Sequence, residues 1–99
     1  MAAFRRKAAT ATTEGVAVHT TPAGKTGLCI GLVLANISSQ PEYADVDING
    51  TYIVKNVPVP VGSTLAVLDG KMVVEADEII RVTASANNAI DATISMLEL

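Results

Sequence analysis

A chain of 99 residues holds one domain, which buries roughly two-thirds of the surface its unfolded form exposes, and leaves no room for a deep cleft between domains. Hydrophobic residues make up 49% and charged residues 17%, which excludes intrinsic disorder, and the single cysteine, Cys29, excludes an intrachain disulfide or a Cys-based zinc site. Arg5, Arg6 and Lys7 form the one basic cluster; beyond it 4 basic side chains stand against 10 acidic ones, a body that repels a phosphate backbone, so nucleic acid is not an expected partner.

Residues 1–13 read as an extended arm in front of a single domain over 14–99. The stretch Ala8-Ala9-Thr10-Ala11-Thr12-Thr13 is small and polar, suited to an extended segment and poor for a packed core. It also interrupts what would otherwise be a secretory pattern, because no apolar run follows the basic cluster. Phe4, the single phenylalanine, lies outside any alternating run and is a candidate for insertion into a partner. The most apolar run, Leu28 to Ala35, is too short to cross a bilayer, so no membrane association is expected. A lone thiol fits synthesis in a reducing cytoplasm.

The first strand of the domain is Gly15-Val16-Ala17-Val18-His19, and alternation puts His19 on its wet side as a surface residue. Pro22-Ala23-Gly24 is a loop. Gly24-Lys25-Thr26 matches only the end of a phosphate-binding loop, since the full motif requires glycine where His19 stands and a helix afterwards. In Leu28-Cys29-Ile30-Gly31-Leu32-Val33-Leu34-Ala35 both alternating sets are apolar or small. Such a strand is covered on both sides, by a second sheet or by a neighbouring subunit, and Gly31 marks a bulge or a close approach. Cys29 is then a core thiol.

Ser38-Ser39-Gln40-Pro41 is a loop. Ala44, Val46 and Ile48 alternate with Asp45, Asp47 and Asn49, and Asn49-Gly50 predicts a type I′ hairpin joining strands at 43–48 and 51–55. Asp45 and Asp47 share a strand face about 7 Å apart and offer calcium oxygen ligands, yet no glycine-rich loop or third carboxylate supports a site. They read as a solvated face. Pro58-Val59-Pro60-Val61-Gly62 is an edge or an irregular crossing, because proline cannot donate to a ladder. Asp69-Gly70 predicts a second hairpin, between 64–68 and 71–75, and Glu75, Asp77 and Glu78 solvate the following bend.

Ile80, Val82, Ala84 and Ala86 alternate with polar residues, Asn87-Asn88 makes a turn, and Ile90, Ala92, Ile94 and Met96 repeat the pattern. Leu97 and Leu99 then give the last strand a second apolar side, which predicts cover from beyond its own sheet. Helix signals are almost absent. The chain is therefore expected to be all-β: an antiparallel β-sandwich, jelly-roll or immunoglobulin-like, of about seven or eight short strands.

Catalytic chemistry finds little support. His19 is the only histidine and has no nucleophile beside it in sequence, and no metal or cofactor is expected. What remains is a surface rich in Thr, Ser, Asn and Ala with apolar ends, which works by contact with other proteins. Its candidate contact residues are Phe4, Arg5, Arg6, Lys7, Leu97 and Leu99, with Tyr43 and Tyr52 flanking the Asn49-Gly50 hairpin. The two tyrosines are also the only rings on which a sugar could stack, the basis of an alternative reading as a carbohydrate- or cell-surface-binding module.

The runs Val57-Pro58-Val59-Pro60-Val61-Gly62-Ser63-Thr64-Leu65, Leu68 to Ser85, and Asp91-Ala92-Thr93-Ile94-Ser95-Met96-Leu97-Glu98 resemble small β-sandwich virion structural proteins of tailed bacteriophages. The segment Gly27 to Ser38 is similar to their early central strand. One departure is the Glu75-Ala76-Asp77-Glu78 turn, where the resemblance leads one to expect glycine near position 77. The resemblance implies a non-enzymatic virion component made in the host cytoplasm. Its first form is a head decoration or cement protein, a trimer bridging subunits of the major capsid protein; the alternative is a collar, tail, neck or baseplate component. Its partners are copies of itself and those shell or tail proteins.

Overall fold

The computed structural model describes residues 2–68 and 70–99. The alternating runs become strands: β1 (Ala3–Thr10), β2 (Val16–Thr20), β3 (Gly27–Asn36), β4 (Glu42–Ile48), β5 (Thr51–Val59), β6 (Thr64–Ala66), β7 (Met72–Val74), β8 (Ile79–Ala84) and β9 (Ile90–Glu98). There is no helix among the described residues. The Asn49-Gly50 hairpin forms as the sequence requires, with φ of 48° and 91° at its two central residues, a pair of values that only Asn, Asp and Gly adopt cheaply. Pro58 sits in β5, which has a partner, β4, on one side alone, so its missing N–H costs no ladder bond.

Two antiparallel sheets stack. One has the order β1-β9-β3-β6, with β7 also on β3; the other runs β2-β8-β4-β5. The pairings are nested, β4 with β5 innermost and β1 with β9 outermost, as though one long hairpin had been rolled up. This is a jelly roll, the first of the two sandwich types expected. Between the sheets lies an aliphatic core including Leu32, Leu34, Val46, Ile80, Ile94 and Met96, all essentially without solvent contact. Each such side chain contributes about 1.5–3 kcal/mol by leaving water.

Several expectations change. Among the described residues the strands number nine, where about seven or eight were expected. Residues 3–10, expected as part of an arm, are extended but lie in register along β9 as an edge strand. Ala11 is fully buried, and Thr12 bridges to Thr83, so this segment crosses from one sheet to the other. The hairpin expected at Asp69-Gly70 does not pair its own arms: Asp69 lies outside the described residues, and β6 and β7 both run along β3, β6 at Val33–Ala35 and β7 at Gly27–Cys29. The reason lies in β3. Its register against β9 slips between Cys29 and Gly31, and this bulge at Ile30 splits the far edge into two short strands.

That bulge also turns Ile30 outward, 39% exposed, while Leu32 stays in the core. A second bulge, between Ala17 and His19 in β2, makes consecutive residues Val18 and His19 both point inward. His19, expected on the surface, is 1% exposed. Asp77 has a φ of 66°, the conformation for which glycine was expected, and its short polar side chain tolerates it. Gly27 is needed for another reason: a Cβ there would lie 2.8 Å from Thr21 Oγ1 and 2.9 Å from Met96 Cε.

Candidate interaction surface

β3 is covered on one side only. Gly27, Cys29, Leu32, Leu34 and Asn36 face the core, whereas Leu28, Ile30, Val33 and Ala35 face out of the sandwich and are partly exposed. The pairing registers extend this outer face across the whole sheet. Phe4 on β1 stands opposite Leu97 on β9, Leu97 opposite Leu28 on β3, and Leu28 opposite Val73 on β7. Facing side chains in adjacent strands lie about 5 Å apart at Cβ, so these four form one apolar row across the sheet. Phe4 is 76% and Val73 54% exposed at its two ends. Ala8, Thr93, Val33 and Ala66 form a parallel row further along. An apolar patch of this continuity is a candidate contact surface.

The basic cluster is divided by the pleat. Arg6 points outward beside Phe4, while Arg5 reaches Glu98 with its Nε 3.4 Å from Oε1. Lys7 is half-buried and bears on His19. Leu97 therefore joins Phe4, as its sequence position alone does not reveal. Leu99 extends the same side of the last strand, its backbone N–H donating to Thr26 O at 2.8 Å, with its side chain exposed. Sequence reasoning missed Val73 as a member of the apolar row. Its signal was the doublet Val73-Val74, two apolar neighbours in a strand, of which one had to face outward.

Tyr43 and Tyr52 lie elsewhere, half-exposed on the outer face of the four-stranded sheet. Tyr52 is opposite Asp47, four residues beyond Tyr43 on β4, so the rings are anchored roughly 13 Å apart and form no common platform. The Lys55 ammonium covers the Tyr52 ring at 4.4 Å from its centroid and donates to the Tyr52 hydroxyl and to Asp45. The hydrogen bond to Tyr52 and then that to Asp45 raise the Lys55 pKa. Asp45 also accepts from the Asn56 N–H at 2.7 Å, and Asp47 from the Gly50 N–H at 2.9 Å. Both carboxylates suggested for calcium thus serve their own hairpin.

Buried polar groups are tied down in the same manner. Glu42 accepts from Ser38 and Ser85, and Asn36 donates to the carbonyls of Gln40 and Val59. Among the described residues His19 is the exception. Its Nε2 lies 2.9 Å from Thr21 Oγ1, whose own proton goes to Val74 O at 3.1 Å. The hydroxyl therefore accepts from His19, which fixes the Nε2-protonated tautomer and leaves Nδ1 without a partner. Burial, and then the charge of Lys7, lower the His19 pKa, with Glu98 opposing. Burial pushes the Cys29 thiol up. No group of three or more His, Cys, Asp or Glu able to hold a metal occurs among the described residues. A shallow depression of about 400 Å³, lined by Thr12, Thr13, Glu14, Asn87 and Asn88, is polar and open.

The nested two-sheet arrangement defines an all-β sandwich with an apolar row on one outer face. No protein-family model and no curated protein sequence matches the chain. Solved structures do share its fold. One is a chain in the acidic stable capsid structure of Helicobacter pylori bacteriophage KHP30, with TM-score 0.61 and 6% identity over 98% of this chain and 86% of that one. Another belongs to Bacillus endospore appendages, a family of disulfide-linked pili, with TM-score 0.57 and 13% identity over 99% of this chain and 84% of the other. At these identities the likeness concerns the fold.

Proposed function

We propose that the chain is a non-enzymatic structural protein of a phage virion, present in many copies, and in its most specific form a head decoration protein that assembles as a trimer and bridges capsid subunits. The observation behind this reading is the uncovered apolar side of the five-stranded sheet. A β-sandwich that finished its work as a monomer would put polar residues at Leu28, Ile30, Val33 and Val73; leaving them apolar makes sense for a protein whose neighbours supply the cover. A jelly roll is host to many functions, so the fold alone does not decide the matter. That structures of the same fold come from a phage capsid and from pili supports a life in assemblies.

The partners are copies of the chain and the major capsid protein, and the place is the virion after synthesis in the host cytoplasm. Cohesion here is non-covalent, because Cys29 is fully buried and has no access to a second thiol. Many weak contacts repeated over a shell still hold firmly. Immunogold electron microscopy with antibody to this chain, on particles from the genome that encodes it, tests the proposal. Label spread over the heads is the expected result. Label confined to the neck, tail or baseplate replaces decoration by the alternative location, and particles without label end the virion reading.

A further inference from the structure

We infer that two copies of the chain pair face to face through the outer side of the five-stranded sheet, about a two-fold axis lying along the row Phe4–Leu97–Leu28–Val73. The inference stands apart from the virion reading, whose trimer would need a contact other than this one: it names a surface, a symmetry and an occupant. The row is in register across β1, β9, β3 and β7. Leu99, paired with Thr26, lies one step from it toward the chain ends, and the bulged Ile30 lies one step the other way. Rotation about an axis along the row lays each row residue on its counterpart. It also carries Leu99 of one copy over Ser95 of the other on β9, and Ile30 toward Thr26 on β3, so apolar-on-apolar contact is concentrated in the row itself.

Charge selects this axis. Lys71 and Glu75 are exposed and stand immediately before and after β7, two residues to either side of Val73, so the strand direction continued by one residue at each end puts both on its face. The rotation brings Lys71 of each copy against Glu75 of the other, giving two ion pairs related by symmetry. The other in-plane axis, parallel to the strands, would superpose β1 on β7 and set Arg6 over Lys71, two like charges. Edge-to-edge pairing of β1 with itself is likewise disfavoured, because Arg5, Arg6 and Lys7 would oppose one another. Four strands about 4.8 Å apart and a few residues long give about 400 Å² per copy, half the usual share of a specific interface. The pair is therefore weak in dilute solution and favoured wherever copies are concentrated.

Sedimentation equilibrium of the whole chain, up to about 1 mM, reads the association directly. A reversible monomer–dimer equilibrium is expected. Phe4→Asp and Val73→Asp each weaken it by about tenfold or more, with circular dichroism and melting unchanged because both side chains are already exposed. Lys71→Glu and Glu75→Lys each weaken it severalfold, and the double variant restores it, since the exchanged charges again face each other across the axis. A chain that stays monomeric throughout, a trimer indifferent to Phe4→Asp, or a double variant no tighter than the single ones overturns the inference. Labelling of particles is decided separately, so failure here and failure of the virion reading remain distinct.

Discussion

The outer faces of the two sheets are built on opposite rules. That of the four-stranded sheet carries Tyr43, Asp45, Asp47, Tyr52 and Arg81, and its carboxylates are engaged by neighbours on the same hairpin. That of the five-stranded sheet carries Phe4, Leu28, Ile30, Val33, Val73 and Leu97, with Arg6 and Asp91 the charged residues in its paired rows. Both sheets have apolar inner sides, with Leu34, Ile94 and Met96 on one and Val46, Ile80 and Val82 on the other. A sheet needs only one greasy side to fold, so the second greasy side reports on something other than folding.

Substitutions sharpen the contrast between inside and outside most strongly at β3. Leu32→Asp places an unpaired charge in the core and is expected to abolish cooperative unfolding. Ile30→Asp, two residues away, is expected to leave a folded protein. Sequence alternation predicts unfolding for both, so circular dichroism melts of the pair separate the bulged geometry from a regular strand. If Ile30→Asp also unfolds, the outer face of β3 is more than a contact surface.

Removing residues 1–10 tests how the same sheet is closed. β1 follows β9 along eight residue pairs and shields its edge, so the truncated chain should lose several kcal/mol of stability, read by urea denaturation. If the midpoint instead stays at that of the full chain, residues 1–13 are a detachable arm.

The His19 effect is smaller and depends on pH. The folded state holds its pKa below the ordinary value of 6.5, so the unfolded chain takes up the proton first as pH falls. The stability attached to neutral His19 is complete above about pH 6.5 and declines as pH drops from there toward the folded value. Melts between pH 8 and 5 should fall more steeply for the native chain than for His19→Gln; equal slopes would contradict a buried neutral imidazole. Smallest of all, Tyr52→Ala on the polar face should change stability by about 0.5 kcal/mol or less and leave self-association as it was. An association that weakens with it would move the contact surface to the other sheet.

The layered all-β architecture was legible in the sequence because alternation survives wherever a strand is regular. β4, β8 and β9 follow their pattern with Ala44, Val46, Ile80, Val82, Ile90 and Ile94 inside. Asn49-Gly50 and Asn88 adopt the backbone conformations their chemistry favours. What alternation cannot carry is a change of phase. The bulge between Ala17 and His19 sends His19 inward, and the one at Ile30 sends that residue outward. The hairpin expected at Asp69-Gly70, where Asp69 lies outside the described residues, did not form, because the longer β3 outcompeted the local pairing for both β6 and β7. The apolar row was half legible: Phe4 and Leu97 stood out singly, while their meeting in one row depends on a pairing between positions at opposite ends of the chain.

Ala3 lies beside Glu98, so the two extremities leave the body at one pole of a molecule 42 Å long, next to the apolar row. A purification tag or reporter fused to either extremity would hang over that row and could mask it. Splicing the extremities together and reopening the chain at Asn87-Asn88 would carry such appendages to the far pole.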